Sequence, residues 1–226
     1  DPTADVEGED ACRKICILGS LAYGKHIYPE MVHCSGITKI TLDDVEYAAN
    51  AGYVIKLIGS VKKLDDGRVS AIVCPRLVPK PNLLASVDDV YNAISVTGDG
   101  VGDVMFYGQG AGKLPTASAV VGDIIDCLKH HHRVLALTWE DCDDKGFVAP
   151  YKDMDVSMYV RIKAENAEAL KSSISEMFGK LMYIERSGRT ENELAFITPN
   201  MKEADIDANL TILSHSAEIA SKIRIY

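Results

Sequence analysis

The first amphipathic pattern along the chain lies in residues 10–22. Apolar side chains recur there three or four positions apart, a spacing that places them on one face of an α-helix. Gly24 follows, and glycine often ends a helix because it adopts a positive φ without strain. The preceding residues 1–8 are acidic and contain a proline and a glycine, so we expect a turn that leads into this helix.

A second helix is predicted between Thr41 and Ala51. Thr41 is a favourable N-cap, Asp44 stands three residues further on, and Gly52 is placed to end the helix. The segment 37–41 is rich in β-branched residues and indicates a short strand just before the cap. We therefore expect a strand that passes directly into a capped helix.

Residues 53–62 and 68–74 form the next pattern, two runs rich in β-branched and apolar residues. Asp66 and Gly67 lie between them, and an Asp-Gly pair between two such runs is typical of a hairpin turn. Residues 53–74 are therefore predicted to form two antiparallel strands.

Two further strands are predicted at 91–97 and 103–107. The segment 108–129 begins with a glycine-rich stretch and then becomes rich in Ala, Val and Ile, with Pro115 near the point where a helix would start. Its apolar residues occur on more than one side of that helix. We therefore expect the helix to be largely buried.

The composition changes near residue 140. Residues 140–153 are polar and contain a glycine and a proline, so they are interpreted as a linker. The remaining segment, 154–226, alternates between strand and helix patterns in the order βαββαβ, which is typical of a ferredoxin-like module. The predicted fold is thus α+β, with a mixed-sheet domain in residues 1–139 followed by a ferredoxin-like domain. The predicted elements of that second domain are strand 155–163, helix 166–178, strands 181–187 and 191–198, helix 202–213 and strand 217–225.

Composition and charge restrict the class of function. The 226 residues are 47% hydrophobic and 25% charged, which is ordinary for a soluble globular protein. A net charge of −9 argues against a nucleic-acid partner, because phosphate binding requires clustered basic residues. The sequence has no apolar run of the ~20 residues that span a bilayer and no secretory signal pattern. We expect a cytoplasmic protein without a membrane or nucleic-acid partner.

Cysteines and histidines supply the candidate metal ligands. Six cysteines are present, none of them in a CxxC pair, and the apolar context of Cys12 and Cys16 favours buried thiols over a metal site. His130, His131 and His132 form a small basic spot. That spot is consistent with a metal-binding tract or with a solvated helix end, and the second is favoured because successive helix residues point in different directions. No metal site is predicted.

Asp10 and Lys14 are the first candidates for chemistry. They are four residues apart, so both side chains leave the same face of the predicted helix. A surface ion pair worth ~0.3–0.5 kcal/mol explains the pattern by itself. A functional alternative is that Lys14 transfers a proton while Asp10 orients it or binds a polar substrate, because partial burial lowers the pKa of a lysine toward neutrality.

Two other segments carry weaker signals. Asp1 and Asp5 precede the first helix, where carboxylates cap backbone N–H groups or bind a substrate ammonium. Gly108, Gly110 and Gly112 precede a helix start, where a bare backbone can approach an anionic ligand. Their GxGxG spacing lacks the last glycine of the dinucleotide fingerprint, so from this motif alone a tight strand-to-helix turn without a ligand is favoured over a cofactor site.

Three blocks together resemble a known family. DPTADVEGEDACRKICIL at 1–18, GITKITLDDVEYAANAGYVIKLIG at 36–59 and GDVMFYGQGAGKLPTASAVVGDI at 102–124 closely resemble the catalytic region of homoserine dehydrogenases, in that family's order and spacing. The resemblance implies NAD(P)H-dependent interconversion of aspartate semialdehyde and homoserine on the route to threonine and methionine. Another oxidoreductase of similar build, acting on a different semialdehyde, is the less favoured alternative.

The resemblance also implies roles for individual residues. Lys14 would exchange the proton on the substrate oxygen, and Asp10 and Asp5 would bind the substrate. Gly112, with Gly110 beside it, would contact the cofactor. The family's substrate-binding glutamate just upstream of the Asp-Pro dipeptide, and its N-terminal nicotinamide-binding domain, are not in this sequence. This chain alone is therefore expected to bind NAD(P) poorly and to show no measurable turnover.

The C-terminal βαββαβ segment resembles an ACT domain, a small ligand-sensing unit. Such domains carry a glycine in the turn after the first strand, and this chain has Glu168 within the corresponding stretch 164–170. The resemblance implies pairing between copies, so a homo-oligomer is expected, with threonine as the candidate effector. A non-catalytic amino-acid-sensing or dimerisation module is the alternative function. It predicts that Asp10 and Lys14 lie in open solvent, whereas a substrate site predicts that they face a cleft.

Overall fold

The computed structural model describes residues 1–130, 138–142 and 146–226, so His131 and His132 of the predicted basic spot lie outside the described residues. The chain packs as two compact units. The first unit comprises Asp1–Pro79 with Thr138–Tyr226, and the second comprises Lys80–Leu137. This division follows packing rather than position along the chain. The predicted domains 1–139 and 154–226 stay a prediction.

Helices and strands of the described residues are numbered along the chain. The α-helices are α1 Thr3–Val6, α2 Glu9–Tyr23, α3 Leu42–Asn50, α4 Lys113–Lys129, α5 Lys171–Phe178 and α6 Glu203–Leu213. The strands are β1 His33–Cys34, β2 Tyr53–Lys63, β3 Val69–Pro79, β4 Tyr91–Gly98, β5 Gly102–Gln109, β6 Asp155–Val156, β7 Met158–Lys163, β8 Met182–Ile184, β9 Glu193–Ile197, β10 Met201–Lys202 and β11 Glu218–Ile225.

Local sequence signals determine the ends of α2 and α3. Gly24 closes α2 with φ 72°, as predicted. Thr41 Oγ1 accepts a hydrogen bond from the backbone N–H of Asp44, and the Asp44 carboxylate accepts one from the backbone N–H of Thr41 in return. This reciprocal capping box satisfies two N–H groups that an uncapped helix would leave unpaired. The helix α1, within the segment expected to be a turn, was not predicted.

The predicted strand at 37–41 is wrong, because this segment forms a turn. The backbone N–H of Ile37 bonds to the carbonyl of Val6, and Ile40 N–H bonds back to the carbonyl of Ile37. Gly36 lies so close to the Val6–Glu7 backbone that a side chain there would overlap it. Contact with the N-terminal segment therefore outweighs the β propensity of these residues.

One seven-stranded mixed sheet organises the first unit. Its strand order is β1-β3-β11-β7-β9-β8, and β2 pairs with β3 as the predicted hairpin. In the series β11, β7, β9 and β8 each strand is antiparallel to its neighbour, whereas β3 and β11 are parallel. The predicted βαββαβ order is present as β7, α5, β8, β9, α6 and β11, and it places the last strand of the segment in the centre of the sheet. The short strands β6 and β10, which pair with each other in a separate two-stranded sheet, were not predicted. The identification of this segment as an ACT domain stays a prediction.

The two faces of this sheet are covered by different helices. On one face, α2 and α3 pack over odd-numbered residues of β3 such as Val73 and Leu77. On the other face, α5 and α6 pack over even-numbered residues of β7 such as Val160. Because successive residues of a strand point to opposite faces of the sheet, the odd-numbered side chains of a strand share one face and the even-numbered side chains share the other.

The second unit contains a hairpin of β4 and β5 and the helix α4. The prediction that α4 is largely buried is wrong, since no residue of this helix is buried. Leu114 and Leu128 are 78% and 70% exposed. An apolar helix is buried only where another surface covers it, and the β4–β5 hairpin of the same unit leaves α4 exposed.

Candidate active site

The start of α2 is held tightly against the sheet. Gly8 links α1 to α2 with φ 80°, a conformation that favours glycine. Its α-carbon faces Val73 and Cys34 so closely that an added Cβ would lie 3.1 Å and 3.2 Å from them. The Cys34 thiol also donates to the carbonyl of Glu7 at 3.4 Å. These contacts determine where the first turn of α2 points.

Close glycine contacts also place the body of α2 on the hairpin. The α-carbon of Gly59 on β2 faces Ile15 and the carbonyl of Ala11, and a Cβ added to Gly59 would lie in van der Waals contact with both. On the helix side, a Cβ at Gly19 would press on Ile27 and Val61. Small residues on both sides let the helix backbone approach the sheet and present its opposite side outward.

Asp10 and Lys14 lie one turn apart on α2 and form an ion pair. Lys14 Nζ is 2.6 Å from Asp10 Oδ2, and 69% of the lysine side chain and 42% of the aspartate side chain are exposed. The sequence-predicted pairing is therefore present. In this chain both groups face solvent rather than a closed cleft, as the alternative of a non-catalytic module predicts.

A second pair of the same kind lies beside the first. Arg13 Nη2 is 3.1 Å from Glu9 Oε2, also at i,i+4 spacing, and both side chains are mostly exposed. Glu9 and Asp10 both lie in the first turn of α2, where carboxylates are stabilised by the helix dipole. This neighbouring pair provides an internal comparison for any role of Lys14.

Asp5 lies on α1, exposed to solvent. Its backbone carbonyl accepts from Gly8 N–H at 3.2 Å, but its carboxylate makes no hydrogen bond within the described residues. Asp1 Oδ1 accepts a hydrogen bond from the backbone N–H of Thr3 at 3.0 Å, but neither α1 nor α2 has a side-chain N-cap. The helix-capping role suggested for the two aspartates is therefore wrong, and the Asp5 carboxylate is available for a ligand.

The predicted glycine loop belongs to the second unit, between β5 and α4. Gly112 is the N-cap of α4 with φ 126°, a conformation that residues with a side chain rarely adopt. At Gly110, whose N–H bonds to the carbonyl of Val90 at 3.3 Å, a side chain would overlap Asn92. The space beside Gly110 is thus filled by Asn92, whereas Gly112 offers bare backbone at the helix start, a position where anions bind favourably.

Sequence reasoning missed a buried ionic network in the first unit. Arg161 on β7 is only 2% exposed and bonds through Nε to Asp44 Oδ1 at 2.8 Å and through Nη1 to Glu193 Oε2 at 3.1 Å. Arg186 adds a second cation beside Glu193, and Tyr47 donates to the same carboxylate. The available signal was an arginine within the apolar strand sequence of β7, where a charge requires a buried partner.

The pKa values of the two buried carboxylates reflect this network. Burial by itself would raise the pKa of Asp44, but hydrogen bonds from Arg161 and Thr41 outweigh burial and hold it below its ordinary value. Burial likewise opposes ionisation of Glu193, and bonds from Tyr47, Arg161 and Arg186 lower its pKa overall. Both groups are therefore ionised near neutral pH, and their charge depends on the arginines.

The described residues contain no group of three or more His, Cys, Asp or Glu side chains that could hold a metal ion. No described helix is both long and apolar enough to cross a membrane.

Comparison with known proteins then decides the family. A family model described as homoserine dehydrogenase matches residues 1–125, more than half of the chain. The matched region contains α2 with its Asp10–Lys14 pair and the glycine loop. The chain belongs to the homoserine dehydrogenase family.

Individual relatives extend the match beyond residue 125. The homoserine dehydrogenase of Neisseria gonorrhoeae is 38% identical over 186 residues, covering 80% of this chain and 42% of the relative. That of Synechocystis is 35% identical over 248 residues, covering all of this chain and 56% of the relative. The chain thus spans about half the length of the homoserine dehydrogenases it matches.

Solved structures of homoserine dehydrogenases match the whole chain. The enzyme from Thiobacillus denitrificans aligns with a TM-score of 0.84 and 30% identity, covering 100% of this chain and 55% of the other. The Staphylococcus aureus enzyme at pH 6.0 aligns with a TM-score of 0.77 and 32% identity over the same share. The mixed α+β architecture is therefore that of the family.

Proposed function

We propose that this chain carries the substrate half of a homoserine dehydrogenase, which interconverts L-homoserine and L-aspartate 4-semialdehyde with NAD(P)H. The observation that carries the proposal is the Asp10–Lys14 pair at 2.6 Å, located inside the region that the family model matches. This reaction would serve threonine and methionine biosynthesis in the cytoplasm. The proposal assigns catalysis to Lys14 and substrate binding to Asp10 and Asp5.

The chemistry requires a cation that also carries a transferable proton. When the aldehyde is reduced, a hydride and a proton are added, so negative charge develops on the carbonyl oxygen before the alcohol forms. An ammonium group stabilises that oxygen and then donates the proton, and the reverse reaction returns the proton to the amine. Asp10 holds the Lys14 side chain in one direction, and a carboxylate such as Asp5 attracts the ammonium of homoserine.

The nicotinamide cofactor supplies the hydride when bound. By resemblance to the family, Gly110 and Gly112 are the residues of this chain that would lie against it, and the positive φ of Gly112 keeps that position free of a side chain. Specificity for NAD or NADP is left to residues outside this loop, since bare backbone does not distinguish a ribose hydroxyl from a phosphate.

The Lys14 side chain is exposed, and at an exposed site water screens charges and competes with the substrate for hydrogen bonds. An exposed Asp10–Lys14 pair therefore stabilises a transition state weakly. The homologous enzymes are about twice as long as this chain, and we propose that their remaining part includes the nicotinamide-binding domain that covers the pair. Closure of the site then excludes water from Lys14.

We predict that this chain alone turns over no measurable aspartate semialdehyde with NADH or NADPH. The expected result is absorbance at 340 nm unchanged from the no-enzyme control, and a Kd for NAD(P)H at least about 100-fold weaker than that of an intact homoserine dehydrogenase. A homologous enzyme of full length, assayed in parallel, provides the positive control. A rate close to that of the full-length enzyme would show that the pair needs no cover.

The C-terminal segment is proposed to act as an ACT-like sensing unit that also pairs copies of the chain. The supporting observation is the antiparallel strand order β11-β7-β9-β8 with α5 and α6 on one face, the arrangement of a ferredoxin-like sheet. Glu168, where ACT domains have glycine, is paired with Lys171 and Arg189. A ligand there would have to displace a carboxylate held by two cations.

We predict that threonine binds this segment only weakly. Titration calorimetry of the chain with threonine is expected to give a Kd above about 1 mM. Replacing Glu168 with glycine removes the ion pairs and opens the backbone, so the variant Glu168→Gly is expected to bind at least as tightly as the native chain. Complete absence of heat with both proteins, together with a monomer by sedimentation, would remove the sensing and pairing role.

A non-catalytic sensing or assembly module is the second candidate function, and the solvent exposure of Asp10 and Lys14 favours it for the isolated chain. The two candidates differ in what Lys14 does. If the chain is a non-catalytic module, replacing Lys14 changes neither ligand binding nor assembly. If it is part of the enzyme, replacing Lys14 lowers the catalytic rate.

A further inference from the structure

Three basic residues lie side by side on one face of the central sheet. Arg76 on β3 stands directly opposite Lys56 on β2 and directly opposite Arg224 on β11. Directly opposed residues of neighbouring strands point to the same face of a sheet. This basic row (Lys56, Arg76 and Arg224) therefore runs across three adjacent strands, on the even-numbered face that α2 and α3 do not cover.

Like charges directly opposite each other destabilise a sheet unless anions compensate them. Arg224 has such an anion, because its Nε donates to Glu203 Oε2 at 2.9 Å and its Nη2 pairs with the other carboxylate oxygen. The next carboxylate on this face, Asp207, already bridges Lys152 and Lys222. Glu203 and Asp207 are therefore already paired with cations other than Arg76.

Arg76 is different from its neighbour Arg224. Its Nη2 donates to Ser60 Oγ at 2.9 Å, and within the described part of the chain it forms no ion pair. Its Nε is buried, and among the described residues it has no hydrogen-bond partner. A buried guanidinium nitrogen without an acceptor is costly, since its interaction with water is lost and nothing replaces it.

Aromatic rings border the row. The Arg224 guanidinium lies over the Tyr151 ring, 5.4 Å from its centroid, and Tyr151 stacks on His33 at 3.9 Å. Burial, and next the charge of Arg224, lower the pKa of His33, so the imidazole is neutral at pH 7 and adds no charge of its own. In contrast to Arg224, Arg76 has neither a carboxylate nor an aromatic ring against it within the described residues.

We propose that the basic row is a binding site for a small phosphate compound, with Arg76 as its principal ligand. A guanidinium presents two parallel N–H donors that match two oxygens of a phosphate group, and an arginine is preferred over a lysine for this geometry. Bound phosphate accepts hydrogen bonds from the Nη groups of the Arg76 guanidinium and compensates the repulsion between Arg76 and Arg224. The site lies on the face of the sheet opposite α2, so phosphate binding is separate from the chemistry proposed for Lys14.

The test is calorimetric titration of the chain with inorganic pyrophosphate, without substrate or nicotinamide, so that the outcome is independent of the proposed activity. The native chain is expected to bind at one site. The variant Arg76→Gln is expected to weaken binding about tenfold or more, since a charge-assisted pair of hydrogen bonds is lost. The variant Arg76→Lys keeps the positive charge but loses the pair of parallel N–H donors, so its affinity for pyrophosphate is expected to lie between those of the native chain and Arg76→Gln.

Arg68→Gln is the matched control. It removes the same charge from the same hairpin, but Arg68 lies in the turn and pairs with Asp66 at 2.7 Å. It should bind pyrophosphate as the native chain does, and thermal unfolding shows that each variant is folded. Absence of binding to the native chain up to about 10 mM pyrophosphate, equal loss in both glutamine variants, or equal heat with sodium chloride at matched ionic strength would overturn the proposal.

Discussion

From the function proposed above, replacing Lys14 with methionine is expected to lower the kcat of a homoserine dehydrogenase that contains this chain by about 10²–10⁴-fold. The reason is that methionine occupies a similar volume but neither stabilises the developing oxyanion nor donates its proton. Since the side chain is 69% exposed in this chain, the substitution leaves the packing of α2 intact. Steady-state kinetics with aspartate semialdehyde measure the effect, and circular dichroism checks the fold.

Arg13→Met is the matched control for this prediction. Arg13 lies on the same helix and forms an ion pair of the same spacing with Glu9, so loss of a surface cation affects both variants equally. Its kcat should stay within about threefold of the native value, because exposed pairs contribute little. A third variant, Lys14→Arg, keeps the charge but does not release a proton near neutral pH, so KM should be nearly native while kcat falls. Equal activity of the Lys14→Met and Arg13→Met proteins would contradict a catalytic role for Lys14.

Replacing Arg161 with methionine is expected to destabilise the chain by about 3–5 kcal/mol at pH 7. The substitution leaves the carboxylates of Asp44 and Glu193 buried, and both side chains are at most 2% exposed. Urea unfolding followed by circular dichroism measures the change in the free energy of unfolding. Arg68→Met, which breaks an exposed pair in the β2–β3 turn, is the control and should unfold nearly as the native chain does.

The pH dependence of this effect separates a charge effect from a packing effect. In the native chain the pKa values of Asp44 and Glu193 are depressed, so their contribution is fully present above the unfolded values and is lost as pH falls through the folded ones. Without Arg161 burial raises at least one of these pKa values, and protonation relieves the penalty. The stability difference between the Arg161→Met and native proteins should therefore shrink between pH 7 and pH 5. A difference that stays constant over this range would indicate lost packing alone.

The ends of helices α2 and α3 illustrate which structural features are determined by residues close in sequence. The Thr41–Asp44 capping box and the positive φ of Gly24 depend on groups within one helical turn, so the sequence predicted both. The hairpin of β2 and β3 is similar, because its turn closes at Gly67 with φ 86°. The i,i+4 spacing of Asp10 and Lys14 likewise made their contact predictable before any tertiary structure.

The Arg161 network shows why part of the molecule was not predictable. The Arg161–Asp44 bond joins residues 117 positions apart, and nothing near either residue indicates the other. The error at residues 37–41 has the same origin. Their β-branched side chains favour a strand, but the close packing of Gly36 on the Val6–Glu7 backbone imposes a turn.

By itself the sequence predicted most of the helices and strands, the ends of α2 and α3, the ion pair on α2 and the family to which the chain belongs. These features depend on periodicity, backbone preference and motif spacing within short segments. Only the tertiary structure decided that β3 and β11 join one sheet, that Arg76 and Arg224 become neighbours, that α4 is exposed and that Lys14 faces solvent. Burial and charge proximity depend on which distant surfaces meet, and no local pattern encodes that.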